Sequence, residues 1–292
     1  MNHPARATLP DGRLLLQHGP IELVIEAWGE RCEIELAYDQ AWRRFQDILE
    51  TLVCELALIR SPLREPYPLA RGPVARRLIA ACWPHRSVFV TPMAAVAGGV
   101  ADEMLEALLA GRAIAKAYVN DGGDIALHFG VGEFFDLGVV GDVGQPALSA
   151  VARIRFDSPV RGIATSGWRG RSQSLGIADA VTVLARTAAA ADVAATLIAN
   201  AVNVEHPAIR RQPAREVKID SDLGDLPVTV AVGELPHACT TQALENGLAL
   251  AQSMRSGGLV EAAYLSLQGQ TRVAARSDAP GSVKLRAGNP SS

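Results

Sequence analysis

The stretch from Gly162 to Val202 constrains this chain more than any other part of it. It opens with a small-residue turn, Thr165-Ser166-Gly167, followed at once by Trp168, Arg169 and Arg171. Hydroxyls, backbone N–H groups and two guanidinium groups gathered at one place are anion-binding chemistry. A β-branched run, Val181-Thr182-Val183, then leads into an alanine-rich segment, residues 189–201, with the composition of a helix. Asp192 and Thr196 lie four apart in it and so share a helix face, where a carboxylate and a hydroxyl can hold a hard cation such as Mg2+. On spacing alone the ordinary explanation is a solvated Asp near a helix start and a Thr bonded back to its own helix.

The rest of the chain alternates hairpins with long helices. Pro10-Asp11-Gly12 is a turn signal, and residues 21–28 and 32–38 alternate around Gly29 as a pair of antiparallel strands. Residues 39–59 space Trp42, Phe45, Ile48, Leu49, Leu52, Val53 and Leu56 at helical intervals, which predicts one long amphipathic helix ending before Pro62. Further helices are expected over 74–83 and 93–109, the second rich in Ala and Gly so that something can approach its backbone closely. Strands are expected at 116–120 and 124–128, flanking Gly122-Gly123, and at 137–140, 150–156, 182–184, 228–232 and 262–267, with a helix over 241–253. This order argues for an α+β fold, with mixed or antiparallel sheets and long packing helices, and against a regular βαβ repeat. Residues 1–275 are expected to make one domain or two closely packed lobes. The Ser-, Pro- and Gly-rich residues 276–292 should be a disordered tail.

At 49% hydrophobic the chain can bury a large core, and a net charge of -3 offers no overall field for nucleic acid or an anionic membrane. Neither is expected as a partner. Lysine occurs only at 116, 218 and 284, which leaves no phosphate-loop G-K-[ST]. Cysteines 32, 54, 82 and 239 lack metal or disulfide spacing, and with no apolar leader or spanning run they point to a cytoplasmic protein. The six histidines form no zinc pattern, and Asp220 to Asp225 reads as a polar turn rather than a calcium loop, because its twelfth position is Ala231.

Motif by motif the chain resembles the ApbE-type flavin transferase superfamily. The turn Ile163-Ala164-Thr165-Ser166-Gly167, the element Gly122-Gly123-Asp124-Ile125 and the helix motif Ala191-Asp192-Val193-Ala194-Ala195-Thr196 occur in the family's way. Within that superfamily the chain is most similar to uncharacterised protein family 0280, through TPMAAVAGGVAD (starting at Thr91), YVNDGGDIALH, GIATSGWRGRS, LGIADAVTVLA and DSDLGD. The resemblance implies an ApbE-like fold and a Mg2+ held by Asp192 and Thr196. It further implies FAD or another flavin-like, phosphate-bearing nucleotide lined by Gly98, Gly99, Asn120, Gly122, Gly123 and Asp124 and gripped by Thr165, Ser166, Gly167, Arg169 and Arg171. Asp179 is the candidate catalytic base.

Two departures bear on the chemistry. The family's S-H-x-[IL]-D-P falls on Ser172-Gln173-Ser174-Leu175-Gly176, which lacks the imidazole, and its A-K-G-Y falls on Ala97-Gly98-Gly99, which lacks the Lys and Tyr. The expected function is therefore an ApbE-like enzyme that uses a divalent cation and a flavin-like nucleotide, with transfer of FMN or a related group as its specific form. The alternatives are a non-catalytic cofactor-binding module and an enzyme of pterin or purine type. The apolar, small-residue helices suit a homodimer.

Overall fold

A computed structural model describes residues 3–140, 148–275 and 285–287. Within it the chain forms two compact units: Met1–Phe134 with Val160–Ala164 and Arg186–Val193, and Phe135–Pro159 with Thr165–Ala185 and Ala194–Ser292.

The first unit begins with strands β1 (Ala5–Thr8), β2 (Leu14–His18) and β3 (Ile21–Gly29). Four helices follow, α1 (Arg31–Phe45), α2 (Ile48–Cys54), α3 (Leu56–Ile59) and α4 (Pro73–Cys82). A 3-10 turn, Pro92–Ala95, introduces helix α5 (Val96–Leu109), and strands β4 (Ile114–Asp121) and β5 (Asp124–Phe129) complete the series. The strands pair antiparallel in the order β1-β2-β3-β4-β5, with Leu16 opposite Leu23 and Val24 opposite Asn120. Alternation in β2 and β3 turns Leu14, Leu16, Leu23 and Ile25 to one side, where they are buried with Phe45, Leu78, Met104 and Leu108 of the helices.

Residues 32–38 are helix, not the expected strand. Their alternating Cys, Ile, Leu and Tyr imitate a strand, but α1 buries the set four apart, Ala37, Ala41 and Phe45, and leaves Leu36 exposed. The single helix expected over 39–59 is broken into three, because the chain turns at Asp47 and again at Glu55, whose carboxylate accepts the N–H groups of Arg71 and Gly72.

Next along the chain come β6 (Phe134–Val140), β7 (Leu148–Arg155), β8 (Gly162–Ser166), β9 (Ala180–Ala185) and α6 (Ala188–Ala201). The second unit continues with β10 (Ile209–Pro213), α7 (Ala214–Val217), β11 (Pro227–Val232), α8 (His237–Ser256), β12 (Ala262–Leu267) and β13 (Gln270–Ala274). In it β9, β12 and β13 pair antiparallel, β10 pairs with β11, and α8 packs on β12 and β13. Of residues 276–292, Leu285–Ala287 form a strand, β14, antiparallel to β7; the others lie outside the described residues. The fold is α+β.

Candidate functional site

Helices α5 and α6 cap one another. Thr187 begins α6 by accepting the Ala190 N–H, and Asp102, in the second turn of α5, accepts the Ala188 and Ala189 N–H groups at 3.0 and 2.9 Å. In return Asp192, in the second turn of α6, accepts the Gly98 N–H at 3.1 Å in the first turn of α5, and the Ala97 N–H as well. Each carboxylate thus satisfies orphan donors where the partial positive charge of the other helix is concentrated.

The close approach this needs explains the glycines. A Cβ on Gly98 would lie 2.3 Å from the Ala188 carbonyl oxygen, and one on Gly99 would lie 2.2 Å from Leu78. Both glycines are buried, and what they admit is the first turn of α6 in one case and Leu78 in the other.

The Gly122-Gly123 turn joins β4 to β5. Both glycines have positive φ, +63° and +112°, as a two-residue hairpin turn of this hand requires, and the Asn120 side-chain oxygen holds the turn by accepting the Gly123 N–H at 2.8 Å. Asn120 is therefore a turn-forming residue. On either side stand Asp121, 4% exposed, and Asp124. Both act electrostatically on Asp192: loss of solvent first, then the charges of Asp124 and Asp121, push its carboxyl well above the usual carboxylate range against the two backbone donors. The Cys82 thiol is likewise pushed up, by burial and then by Asp192. Thr196 follows Asp192 one turn later on α6 and is half-buried. Among the described residues no group of three or more His, Cys, Asp or Glu is arranged to hold a metal ion by itself.

In the second unit Thr165, Gly167 and Arg169, three of the residues expected to bind an anion, contact other protein groups, while Arg171 is exposed. The segment Thr165 to Ser166 is the end of β8 rather than a turn, and the Thr165 hydroxyl lies 2.9 Å from that of Thr182. Gly167 is buried where a Cβ would meet the Asp179 carbonyl oxygen at 2.4 Å. Asp179, 5% exposed, accepts the Trp168 indole N–H at 3.3 Å and the Gln268 backbone N–H at 2.6 Å, with Arg169 Nε 3.9 Å away. This carboxylate anchors the 167–169 loop to the turn between β12 and β13. Arg169 also lies over the Trp168 ring at 5.0 Å, and Arg171 is exposed.

Gln173 stands where the resemblance places a histidine. Its amide donates to the Ala214 carbonyl at 2.9 Å and accepts the Ser221 hydroxyl, tying the 172–176 loop to the Asp220–Asp225 turn. The DSDLGD run is thus tied to that loop through Ser221 and to α7 through Arg215, which pairs with Asp225 at 2.9 Å. The sequence points to Asp192 and to the turn that contains Asp121, but not to Asp102. The signal for Asp102 was available in its position one turn after Gly98, on the same face of α5.

A family model described as AbpE bacteria matches residues 6–273. The chain belongs to that family. UPF0280 proteins are similar to it. One from Methanosarcina acetivorans is 33% identical over 195 residues, 64% of this chain and 72% of the relative, and one from Methanothermobacter thermautotrophicus is 36% identical over 145 residues, 48% and 52%. The chain spans about half the length of the first curated relatives it matches. Among solved structures, Pseudomonas stutzeri flavinyl transferase ApbE in its apo form is 12% identical, covering 98% of this chain and 95% of that one, with a TM-score of 0.42. Flavin transferase ApbE from Vibrio cholerae is 12% identical, covering 97% and 96%, with a TM-score of 0.37. No helix among the described residues is long and apolar enough to cross a membrane.

Proposed function

We propose that this family member binds a flavin-like nucleotide with the help of a divalent cation, and that its reaction is transfer of the FMN moiety of FAD to a protein hydroxyl. The observation that carries the reading is the place of Asp192, whose carboxylate caps the start of α5 while Asp124 and Asp121 act on it electrostatically. A carboxylate held against Asp124 and Asp121 in a poorly solvated place favours any cation that reaches it. The donor set fits Mg2+, which usually keeps several waters and takes one or two protein carboxylates together with substrate phosphates. A cage of three or more protein acids is not needed. Asp192, with Thr196 one turn along α6, would hold the ion, whose chemistry is to neutralise phosphate charge.

Arg169 and Arg171 supply anion-binding capacity to the second unit. In the reaction the bond from the FMN phosphorus of FAD to the bridging oxygen is broken, and that oxygen departs with AMP. A phosphate ester forms to the acceptor hydroxyl, that hydroxyl's proton is released, and AMP leaves. Purified protein given FAD, MgCl2 and a Thr-containing acceptor peptide should release AMP, and release should stop when EDTA replaces magnesium. AMP no higher than in a boiled control would remove the transferase reading.

A second reading, a cofactor-binding module without transfer, is favoured by one specific observation. Gln173 replaces the imidazole and is committed to Ala214 and Ser221, while Asp179 is committed to Trp168 and Gln268. Equilibrium dialysis with FAD separates the two readings, since the module binds FAD in a Mg2+-dependent way and releases no AMP.

A further inference from the structure

The net charge of -3 conceals a local surplus of positive charge. Between Arg60 and Phe89 the sequence holds six arginines and one acidic residue, Glu65. All of them lie in the first unit. Arg77 is spent on Glu103 and Glu106, and Arg86 pairs with Glu65 at 3.1 Å. Arg60, Arg64, Arg71 and Arg76 form no ion pair among the described residues; Arg64, Arg71 and Arg76 are exposed and Arg60 is half-exposed.

Four large apolar side chains are exposed in the same segment: Leu69 at 88%, Val88 at 54%, Tyr67 at 43% and Phe89 at 42%. They sit on two loops that the fold stitches together. The Leu63 N–H donates to the Val90 carbonyl at 2.9 Å, Tyr67 packs edge-on to Trp83 with centroids 4.8 Å apart, and the Arg86 guanidinium lies 4.5 Å over the Trp83 ring. Glu55 fixes the base of the first loop through the Arg71 and Gly72 N–H groups. The apolar side chains are thus displayed together on two pinned loops rather than scattered singly over the surface, the arrangement that marks an interaction site.

We infer that this face docks the first unit onto an anionic lipid surface. Arginines attract acidic headgroups, Leu69, Val88 and Phe89 enter the boundary of the acyl region, and the Tyr67–Trp83 pair takes the intermediate depth that suits rings with one polar end. Aliphatic side chains standing out from loops suit a soft phase. A rigid macromolecular partner would have to supply pockets for them, and a nucleic acid has no complement for Leu69 and Val88. The inference does not depend on the proposed reaction.

The test is flotation of the full chain with vesicles of phosphatidylcholine alone and of phosphatidylcholine mixed with phosphatidylglycerol, at low and high salt. The expected result is binding to the mixed vesicles only, weakened as salt screens the arginines. Leu69→Asp and the double change Arg64→Glu, Arg71→Glu should each lower the bound fraction about tenfold. The melting temperature should not change, because these side chains are exposed. No binding to acidic vesicles, equal binding to neutral ones, or binding untouched by both variants would overturn the inference. So would retention of a single-stranded oligonucleotide or salt-dependent self-association that the same variants abolish while vesicles are ignored.

Discussion

The first turns of α5 and α6 are built alike and charged differently. Each is capped by a carboxylate from the second turn of the other helix, Asp192 for α5 and Asp102 for α6. Burial raises both carboxyls, yet Asp102 has the Arg77 charge lowering its value against that of Glu106, while Asp192 faces the charges of Asp124 and Asp121. Both carboxylates cap a helix, and they differ in the charges around them. The two like charges near Asp192 are why a cation is proposed there and not at its twin.

The contact point of the pair gives the largest expected effect. Gly98→Ala places a methyl group 2.3 Å from the Ala188 oxygen, a backbone atom that cannot swing aside, so the helices must separate and both caps lengthen. Urea denaturation should show a loss of about 3 kcal/mol. Gly123→Ala, with φ +112° but open space around the added methyl, should cost about 1 kcal/mol, which isolates packing from backbone strain.

Next in size is Asp102→Asn. One oxygen still accepts, but the amide nitrogen is turned toward an N–H, so about 1 to 2 kcal/mol of stability should disappear with any Mg2+ or Mn2+ response intact. Asp192→Asn should reverse that pattern. It also gives up an acceptor, but it relieves the repulsion from Asp124 and Asp121, so the metal-free melting temperature should move less than in Asp102→Asn and the metal-induced rise should vanish. Equal losses of stability in the two variants, or a metal response that survives Asp192→Asn, would make the two helix starts equivalent and end the argument for a cation.

The smallest expected effect is in pH. Because the fold raises the Asp192 carboxyl above its ordinary 3.8, the folded chain keeps a proton the unfolded chain has already released. Stability is fullest below that ordinary value and declines as pH rises toward the folded one. A series of melting curves from acid to neutral pH should show the decline, with a shallower slope in Asp192→Asn and on adding Mg2+. A slope unchanged by both would place the titration elsewhere, on Asp102 among Arg77 and Glu106.

Much of this was legible in the chain itself. The helices over 73–82 and 188–201 and the β4–β5 hairpin were marked by periodicity and by Gly122-Gly123, because those signals are local. The alternation of 32–38 imitates a strand but competes with the four-residue spacing of Ala37, Ala41 and Phe45, and only burial against the rest of the first unit decides between them. Thr165-Ser166 was read as a turn because small polar residues favour turns, whereas pairing makes it the end of a strand. A corresponding limit applies to charge: a total of -3 averages away the arginines between 60 and 89, which become a surface feature only when two loops are pinned together.

By itself, then, the sequence determined the residue types that can do chemistry and the elements that carry them: Asp192 on a helix, Asp124 beside a glycine turn, Gln173 where an imidazole is missing. Tertiary structure alone decided which of them are spent. Asp179 and Gln173 go to holding loops, Asp102 to capping α6, and Gly98 and Gly99 to close packing, because hydrogen bonds and contacts between residues far apart in the chain leave no trace in local composition. The same long-range assembly left Asp192 facing two like charges, since the electrostatic environment of a carboxylate is set by what folding brings near it rather than by its neighbours in sequence.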